Sequence, residues 1–294
     1  MIKQTIVIST PRRLSLRNHL LVIAGADGEE PITRPVANIG ILILEDTMTT
    51  VTLPLLNALA AANVMVVICD GKHCPATIVT PLEGNTTQSE VLRAQCQMTL
   101  PQLKQAWKQV ITAKIANQKR VLDLCGLDGD ILSPHVRNVL SGDTTNREGV
   151  AARLYWTEMF DEAFVRDREG DGINALLNYG YAILRAATIR ALIGSGVSPA
   201  FGIFHRNRYN AFPLADDVME PFRPFVDIVV YELWKQGQAT INKKTKSRLL
   251  KVLTCDVLCG DVMRPLMLAL SSTTASLSSY ILRKSQVLTL PQIP

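Results

Sequence analysis

Near residue 85 the period of the apolar residues changes, and that change constrains the fold of this chain more than any other feature. Before it, short β-branched or apolar runs are separated by Pro, Gly and acidic turns: TIVIS at 5–9, an alternating stretch from Leu14 through Ile23, and IGILILED at 39–46. Such runs read as strands. Pro54 follows Thr52 at the expected start of a helix carrying Leu55, Leu56, Leu59 and Ala62, after which VMVVICD returns to strand. Beyond residue 85, Thr87 and Glu90 have the spacing of a capping box. After a break at Pro101, Leu103, Trp107, Val110, Ile111 and Ile115 recur at helical intervals. Further helices are expected at about 145–168, 172–193, 213–235, 243–260 and 262–283. The expected class is α+β: a β-rich domain over 1–84, joined near Glu83 to Thr87, and a larger all-α domain over 85–294.

The 294 residues, 47% hydrophobic and 19% charged, exclude a disordered or fibrous chain and supply enough apolar side chains for two cores. Two uncharged stretches have the length of a membrane span. Thr47 to Cys69 is interrupted by Thr, Pro and Asn, and Pro265 to Leu282 carries seven Ser or Thr, so both are expected to be soluble structure. Arg12, Arg13 and Arg17 precede the apolar run Leu20 to Ala26, but that run is too short for a signal peptide core and follows a strand, so a cytoplasmic location is expected. Of the six Cys, Cys69, Cys96 and Cys125 sit in apolar or helical contexts that read as small buried hydrophobes. The pairs Cys69/Cys74 and Cys255/Cys259 lack zinc-site spacing.

The net charge of +5 is unevenly placed. Residues 238–294 hold eight Lys or Arg against Asp256 and Asp261, a net of +6, whereas residues 1–237 hold 23 basic and 24 acidic side chains. Within the basic end, KKTKSRLLK brings together Lys243, Lys244, Lys246, Arg248 and Lys251, a density suited to phosphates or to a solvated helix face.

Chemistry-bearing groups stand at three places in the helical region. Glu148 lies in TTNREGVAARLYW, His205 in GIFHRNRYNAF, and Asp216, Asp217 and Glu220 in PLADDVMEPFRP. Each has a structural reading: Thr145 and Glu148 are spaced as a capping box, His205 as a hydrogen-bonded surface group, and Asp217 with Glu220 as an acidic pair at a helix start. Together they make a ligand set for Mg²⁺ or Mn²⁺, which take carboxylate oxygens and, for Mn²⁺, an imidazole. Gaps of 57 and 15 residues do not by themselves bring three side chains together. No GxSxG elbow and no Walker-type loop is present.

The string LLNYGYAILRAATIRALIGSGVSPAFGIFH, followed by NAFPLADDVMEPFRPFVD, closely resembles CRISPR-associated protein one, the integrase of spacer acquisition. LSL with NHLLVI, IGILILED, AKIANQ at 113–118 and NREGVAARLYW match in the same order, and MEPFRPFVD resembles the type II branch. The resemblance implies a Mg²⁺- or Mn²⁺-dependent DNA integrase and endonuclease. It would join 3′-hydroxyl ends of prespacer duplex DNA to the CRISPR repeat beside its leader, with no covalent enzyme intermediate. It also implies a homodimer, the small partner CRISPR-associated protein two and, in the type II branch, the guide-RNA effector. Carried over by position, the metal ligands fall on Glu148, His205 and Glu220, with Asp217 as an additional acidic candidate. Arg206 and Arg208 beside the His, and Lys243, Lys244, Lys246 and Arg248, are the candidate DNA contacts. Tyr179, Tyr181 and Tyr209 are either stacking groups or core. The alternative is a non-catalytic DNA-binding scaffold of the same assembly.

Overall fold

A computed structural model of the protein describes residues 3–25, 30–71, 75–81, 84–161 and 163–294. The chain divides into two compact units, Met1–Gly84 and Asn85–Pro294. In the first unit the elements are β1 (Gln4–Ile8), β2 (Arg13–Arg17), β3 (Leu20–Ile23), β4 (Ile32–Pro35), β5 (Ile39–Leu44), β6 (Thr50–Val51), α1 (Leu53–Ala61), β7 (Met65–Cys69) and β8 (Pro75–Val79). One sheet has the order β1-β5-β7-β8, parallel except at its β7/β8 edge, and the other has the order β4-β3-β2-β6. All six residues of β5 are buried, as its unbroken IGILIL requires of a strand covered on both faces. Leu42 and Val66 from the first sheet, Leu14 and Leu21 from the second and Leu55 and Leu59 from α1 form a common core. The uncharged stretch Thr47 to Cys69 is thus strand, nine-residue helix and strand.

The second unit runs α2 (Gln88–Cys96), α3 (Leu100–Leu124), α4 (Ser133–Arg137), α5 (Arg147–Met159), α6 (Ile173–Gly194), α7 (Pro213–Met219), α8 (Arg223–Lys235), α9 (Lys243–Leu250), β9 (Asp256–Cys259), β10 (Val262–Pro265), α10 (Leu266–Ile281) and β11 (Pro291–Gln292). Pro101 sits in the first turn of α3, where its missing N–H costs nothing, and Thr99 and Gln102 cap that helix reciprocally. Trp107, Val110, Ile111 and Ile115 then face the core as their spacing predicts. α6 crosses α8 so closely that a Cβ on Gly180 would lie 2.4 Å from Val226 Cγ1, which is why a glycine stands in an otherwise bulky helix.

Several expectations need correction. The second unit is not all α: 243–260 is helix only to Leu250, and β9 pairs antiparallel with β10 and β11. Gly260, at φ +65°, opens the two-residue turn that joins β9 to β10. Helix α5 ends at Met159, short of 168. The Thr87/Glu90 capping box does not form, because Thr87 turns its N–H and hydroxyl to the Asn85 side chain at 2.9 Å each. Cys96 is exposed rather than core, whereas Cys69 is buried and Cys125 half-buried; Cys74 and Glu83 lie outside the described residues. No helix among the described residues is long and apolar enough to cross a membrane.

Candidate metal and DNA site

The site is assembled on α3, the longest helix. A residue facing inward between Ile111 and Ile115 is expected to be apolar, yet Lys114 stands there with its side chain only 10% exposed. A buried ammonium is costly without anionic partners. Two are provided: Nζ lies 2.6 Å from Glu148 Oε1 and 2.6 Å from Glu220 Oε2. One turn further along α3, Asn117 donates to the carbonyl oxygens of Pro221 at 2.8 Å and Pro291 at 3.0 Å. It thereby pins the turn that carries Glu220 and the β11 strand to the same helix.

Glu148 is not consumed as a helix cap. Asn146, held at φ +51°, caps α5 by accepting from the Gly149 N–H at 3.2 Å, and the carboxylate of Asp143 accepts from the N–H groups of Arg147 and Glu148 at 2.8 and 2.9 Å. These neighbours satisfy the helix start, and the Glu148 side chain is left to face Lys114. Glu220 begins a single 3-10 turn between α7 and α8, its side chain 5% exposed, with Arg223 Nε 3.0 Å from Oε1. The ammonium near its Oε2 has the distance of an ion pair but not the angle of a hydrogen bond, so that buried oxygen keeps lone pairs without a donor. Burial pushes the Glu220 carboxyl up, but Arg223 and Lys114 outweigh it and hold the pKa below its ordinary value. For Lys114, burial pulls down and Glu220 and Glu148 outweigh it, leaving the pKa raised.

His205 approaches from the loop between α6 and α7. Asp217, fully buried on α7, organises that loop. Its Oδ2 accepts from the backbone N–H of Ile203 at 2.5 Å and Phe204 at 3.0 Å, while its Oδ1 accepts from the N–H of His205 at 3.2 Å and stands 2.6 Å from His205 Nδ1. A ring proton on Nδ1 satisfies that contact and leaves Nε2 with a free lone pair. The Asp217 hydrogen bond raises the His205 pKa, burial opposes it, and the charges of Asp217, Glu220 and Glu148 add to the rise. Trp107 stacks on Phe204 at 4.4 Å and meets the His205 ring edge-on at 5.8 Å, fixing the ring from its other side.

Glu148, His205 and Glu220 therefore line one open cleft of about 800 Å³, together with Lys114 and the cationic side chains of Arg166, Arg168 and Arg185. Both oxygens of Asp217 are already engaged, so it stands behind His205 rather than beside the two glutamates. Two carboxylates and an imidazole nitrogen, with no thiolate, suit Mg²⁺ or Mn²⁺. As the side chains stand, no three His, Cys, Asp or Glu among the described residues are close enough to hold an ion, and Lys114 stands between the two glutamates.

The candidate DNA contacts separate into groups. Arg206 and Arg208 are exposed on the His205 loop, and the Arg208 guanidinium lies 4.6 Å from the centre of the Tyr209 ring, which is 79% exposed. Tyr179 and Tyr181 are buried. On α9, Lys243 and Lys244 are exposed, Lys246 lies 5.2 Å over the Tyr179 ring, and Arg248 pairs with Glu232 at 2.7 Å. The basic run is thus not one uniform face. The sequence did not single out Lys114, Asp143, Arg223 or Asp227. For Lys114 a signal existed, a cation at a core position of a helical repeat, which implies buried anions brought from elsewhere in the chain.

A sequence model of the family "CRISPR associated protein Cas1" matches residues 6–254. A CRISPR-associated endonuclease Cas1 of Neisseria meningitidis serogroup C is 38% identical over 256 residues, covering 85% of this chain and 83% of that protein. Among solved structures, a casposase bound to integration product superposes with a TM-score of 0.77 at 22% identity, covering 98% of this chain and 92% of the other. A chain of a Cas6-RT-Cas1–Cas2 complex superposes with a TM-score of 0.73 at 19% identity, covering 99% of this chain and 36% of the other. With a matching family model over most of its length and a relative at 38% identity, the chain belongs to the CRISPR associated protein Cas1 family.

Proposed function

We propose that this protein is a Mg²⁺- or Mn²⁺-dependent DNA integrase of CRISPR adaptation that also has endonuclease activity. It joins the 3′-hydroxyl ends of prespacer duplex DNA to the CRISPR repeat by transesterification. The observation that carries the reading is the carboxylate pair Glu148 and Glu220 sharing one cation, Lys114, in a cleft that His205, its Nδ1 against Asp217, also lines. The endonuclease named in the Neisseria relative and the integration product bound by the casposase support the reaction class.

Glu148, Glu220 and His205 Nε2 would hold the ion. When bound, it supplies Lewis acidity at the scissile phosphate and offsets charge as the phosphoryl group is transferred. The chain's own groups do the rest. Asp217 holds the His205 tautomer, and Arg223 keeps Glu220 ionised despite burial. Arg166 and Arg185 project into the cleft on fixed partners, Asn178 at 2.6 Å and Asp216 at 2.6 Å, and suit the phosphodiester backbone as preset donors. Arg206, Arg208 and the exposed lysines of α9 would extend that contact along the duplex. The β-rich unit, which holds none of the candidate ligands, would organise a homodimer and contact the Cas2 partner, in keeping with the complex that one structural neighbour belongs to.

The test is strand transfer of a prespacer duplex into a repeat-containing plasmid, with Mn²⁺ and the purified Cas2-type partner. Glu148→Ala, His205→Ala and Glu220→Ala are each expected to abolish product while thermal unfolding stays cooperative. Wild-type product from any one of them would remove that residue from the ligand set, and product from all three would leave a scaffold role.

A further inference from the structure

Among the described residues, Lys114 is the cation that pairs with both glutamates of the proposed ligand set, and it does so from a buried position on α3. We propose that Lys114 is a resident stand-in for the metal: its ammonium holds Glu148 and Glu220 together in the metal-free chain, competes with the divalent ion for the same two oxygens, and must swing out when that ion binds. This inference rests on the metal-site reading above and adds a residue that sets the affinity of that site.

Three observations support it. First, the ammonium nitrogen is 2.6 Å from one oxygen of each carboxylate, so it occupies the place between them that a shared cation takes. Second, an ion coordinated to those oxygens at about 2.0 to 2.2 Å would stand in contact with a like charge, with no water between them to screen it. The two cannot share the pair. Third, the remaining neighbours of the glutamates do not depend on Lys114: Arg223 stays on Glu220 Oε1, and Asp143 stays on the Glu148 backbone. Removal of the ammonium therefore leaves the two carboxylates in place but short of one positive charge, a vacancy that a divalent ion fills. The lysine stem, with its four rotatable carbons, gives the ammonium a route into the cleft that Lys114 already lines.

A purely structural brace makes the opposite prediction, since loosening the two glutamates would weaken metal binding. The experiment is Mn²⁺ titration of the full-length protein by calorimetry, with thermal unfolding at zero and saturating Mn²⁺, for wild type, Lys114→Met and Lys114→Gln. Both variants remove the charge and keep an unbranched stem one atom shorter than that of lysine. The expected result is at least tenfold tighter Mn²⁺ binding in both variants and a larger Mn²⁺-induced rise in melting temperature than in wild type. Variants that fold only with Mn²⁺ present would support the proposal equally, because the ion would be replacing the lysine. Unchanged or weaker Mn²⁺ affinity, or variants that do not fold even with Mn²⁺, would overturn it. If wild type and both variants bind no Mn²⁺, the metal-site reading fails first and this inference fails with it. If wild type binds and the variants bind no tighter, only this inference fails.

Discussion

Asp217→Asn is the substitution that separates the positioning of His205 from its presence. The wild-type carboxylate accepts from three backbone N–H groups and from His205 Nδ1. An asparagine keeps the shape but has one acceptor oxygen, so its amide nitrogen must face two of those donors. If it faces Ile203 and Phe204, two buried N–H groups are orphaned, at about 1 to 3 kcal/mol each. If it faces His205, the backbone N–H of that residue is orphaned, but the ring can relieve its own conflict by moving its proton to Nε2 and accepting from the amide at Nδ1. The second arrangement costs less and removes the lone pair a metal needs. Loss of such a partner behind a ligand typically weakens metal binding 10- to 100-fold, about 1.4 to 2.8 kcal/mol.

The pH dependence gives a second readout. In the metal-free wild type the raised His205 pKa means that the imidazolium contributes stability fully present below the unfolded value of about 6.5 and lost as pH rises through the folded value. Metal binding needs the neutral ring, so Mn²⁺ affinity should fall as pH drops through that raised value. In Asp217→Asn the largest cause of the rise is gone, leaving the charges of Glu220 and Glu148, and the fall should move to lower pH. Calorimetric Mn²⁺ titrations from about pH 5.5 to 8, with unfolding curves alongside, measure both effects. Wild-type affinity with an unchanged pH midpoint would refute the role given to Asp217.

Asp227, buried and bonded to the hydroxyls of Tyr155 at 3.0 Å and Tyr181 at 2.5 Å, is pushed up to about 7 by burial. Its folded pKa exceeds its unfolded one, so stability should fall as pH rises from about 4 through 7, by as much as about 4 kcal/mol. Asp227→Asn should flatten that part of the melting-temperature profile; an unchanged slope would show that Asp227 is already ionised at low pH. A Cβ at Gly202 would lie 2.3 Å from the His205 carbonyl oxygen and 3.0 Å from Asp217 Oδ2, so Gly202→Ala should impair Mn²⁺ binding far more than melting temperature; equal effects on both would count against a local role. Reversing only the exposed Lys243 and Lys244 to Glu should reduce the slope of log affinity for DNA against log salt by at most about 2, because each phosphate contact contributes roughly 0.9. Parallel lines would assign them to solvent. Sedimentation of the full-length protein at micromolar concentration should show a homodimer, and a strictly monomeric species would contradict the role given to the first unit.

How much of this was legible in the sequence depended on the distance over which each feature is determined. β5 and α3 could be read directly, because IGILIL and the Leu103 to Ile115 repeat state their own periods and burial follows from period. The small sheet of the second unit could not. Asp256–Cys259 and Val262–Pro265 are four residues each, too short to show a period, and β11 reaches them from the far end of the chain. The glycine that turns the hairpin was a local signal that the longer helical pattern overrode. At the site, Glu148 also read as a cap, but Asp143, just before the expected motif, and Asn146, inside it, satisfy the helix start instead. Glu148, His205 and Glu220 could be grouped only through resemblance to a family, since nothing in their spacing requires them to meet. Lys114 joins α3, the start of α5 and the turn before α8, and so depends on the whole fold of the unit.

The central claim is that Glu148, His205 and Glu220 hold one divalent ion, and anomalous diffraction from crystals soaked in Mn²⁺ tests it most directly. The account predicts a single strong anomalous peak in the cleft, at about 2.0 to 2.3 Å from an oxygen of Glu148, an oxygen of Glu220 and Nε2 of His205, with the Lys114 ammonium moved away. A cleft without a peak at saturating Mn²⁺, or a peak bound elsewhere while Lys114 still bridges the two glutamates, would contradict it.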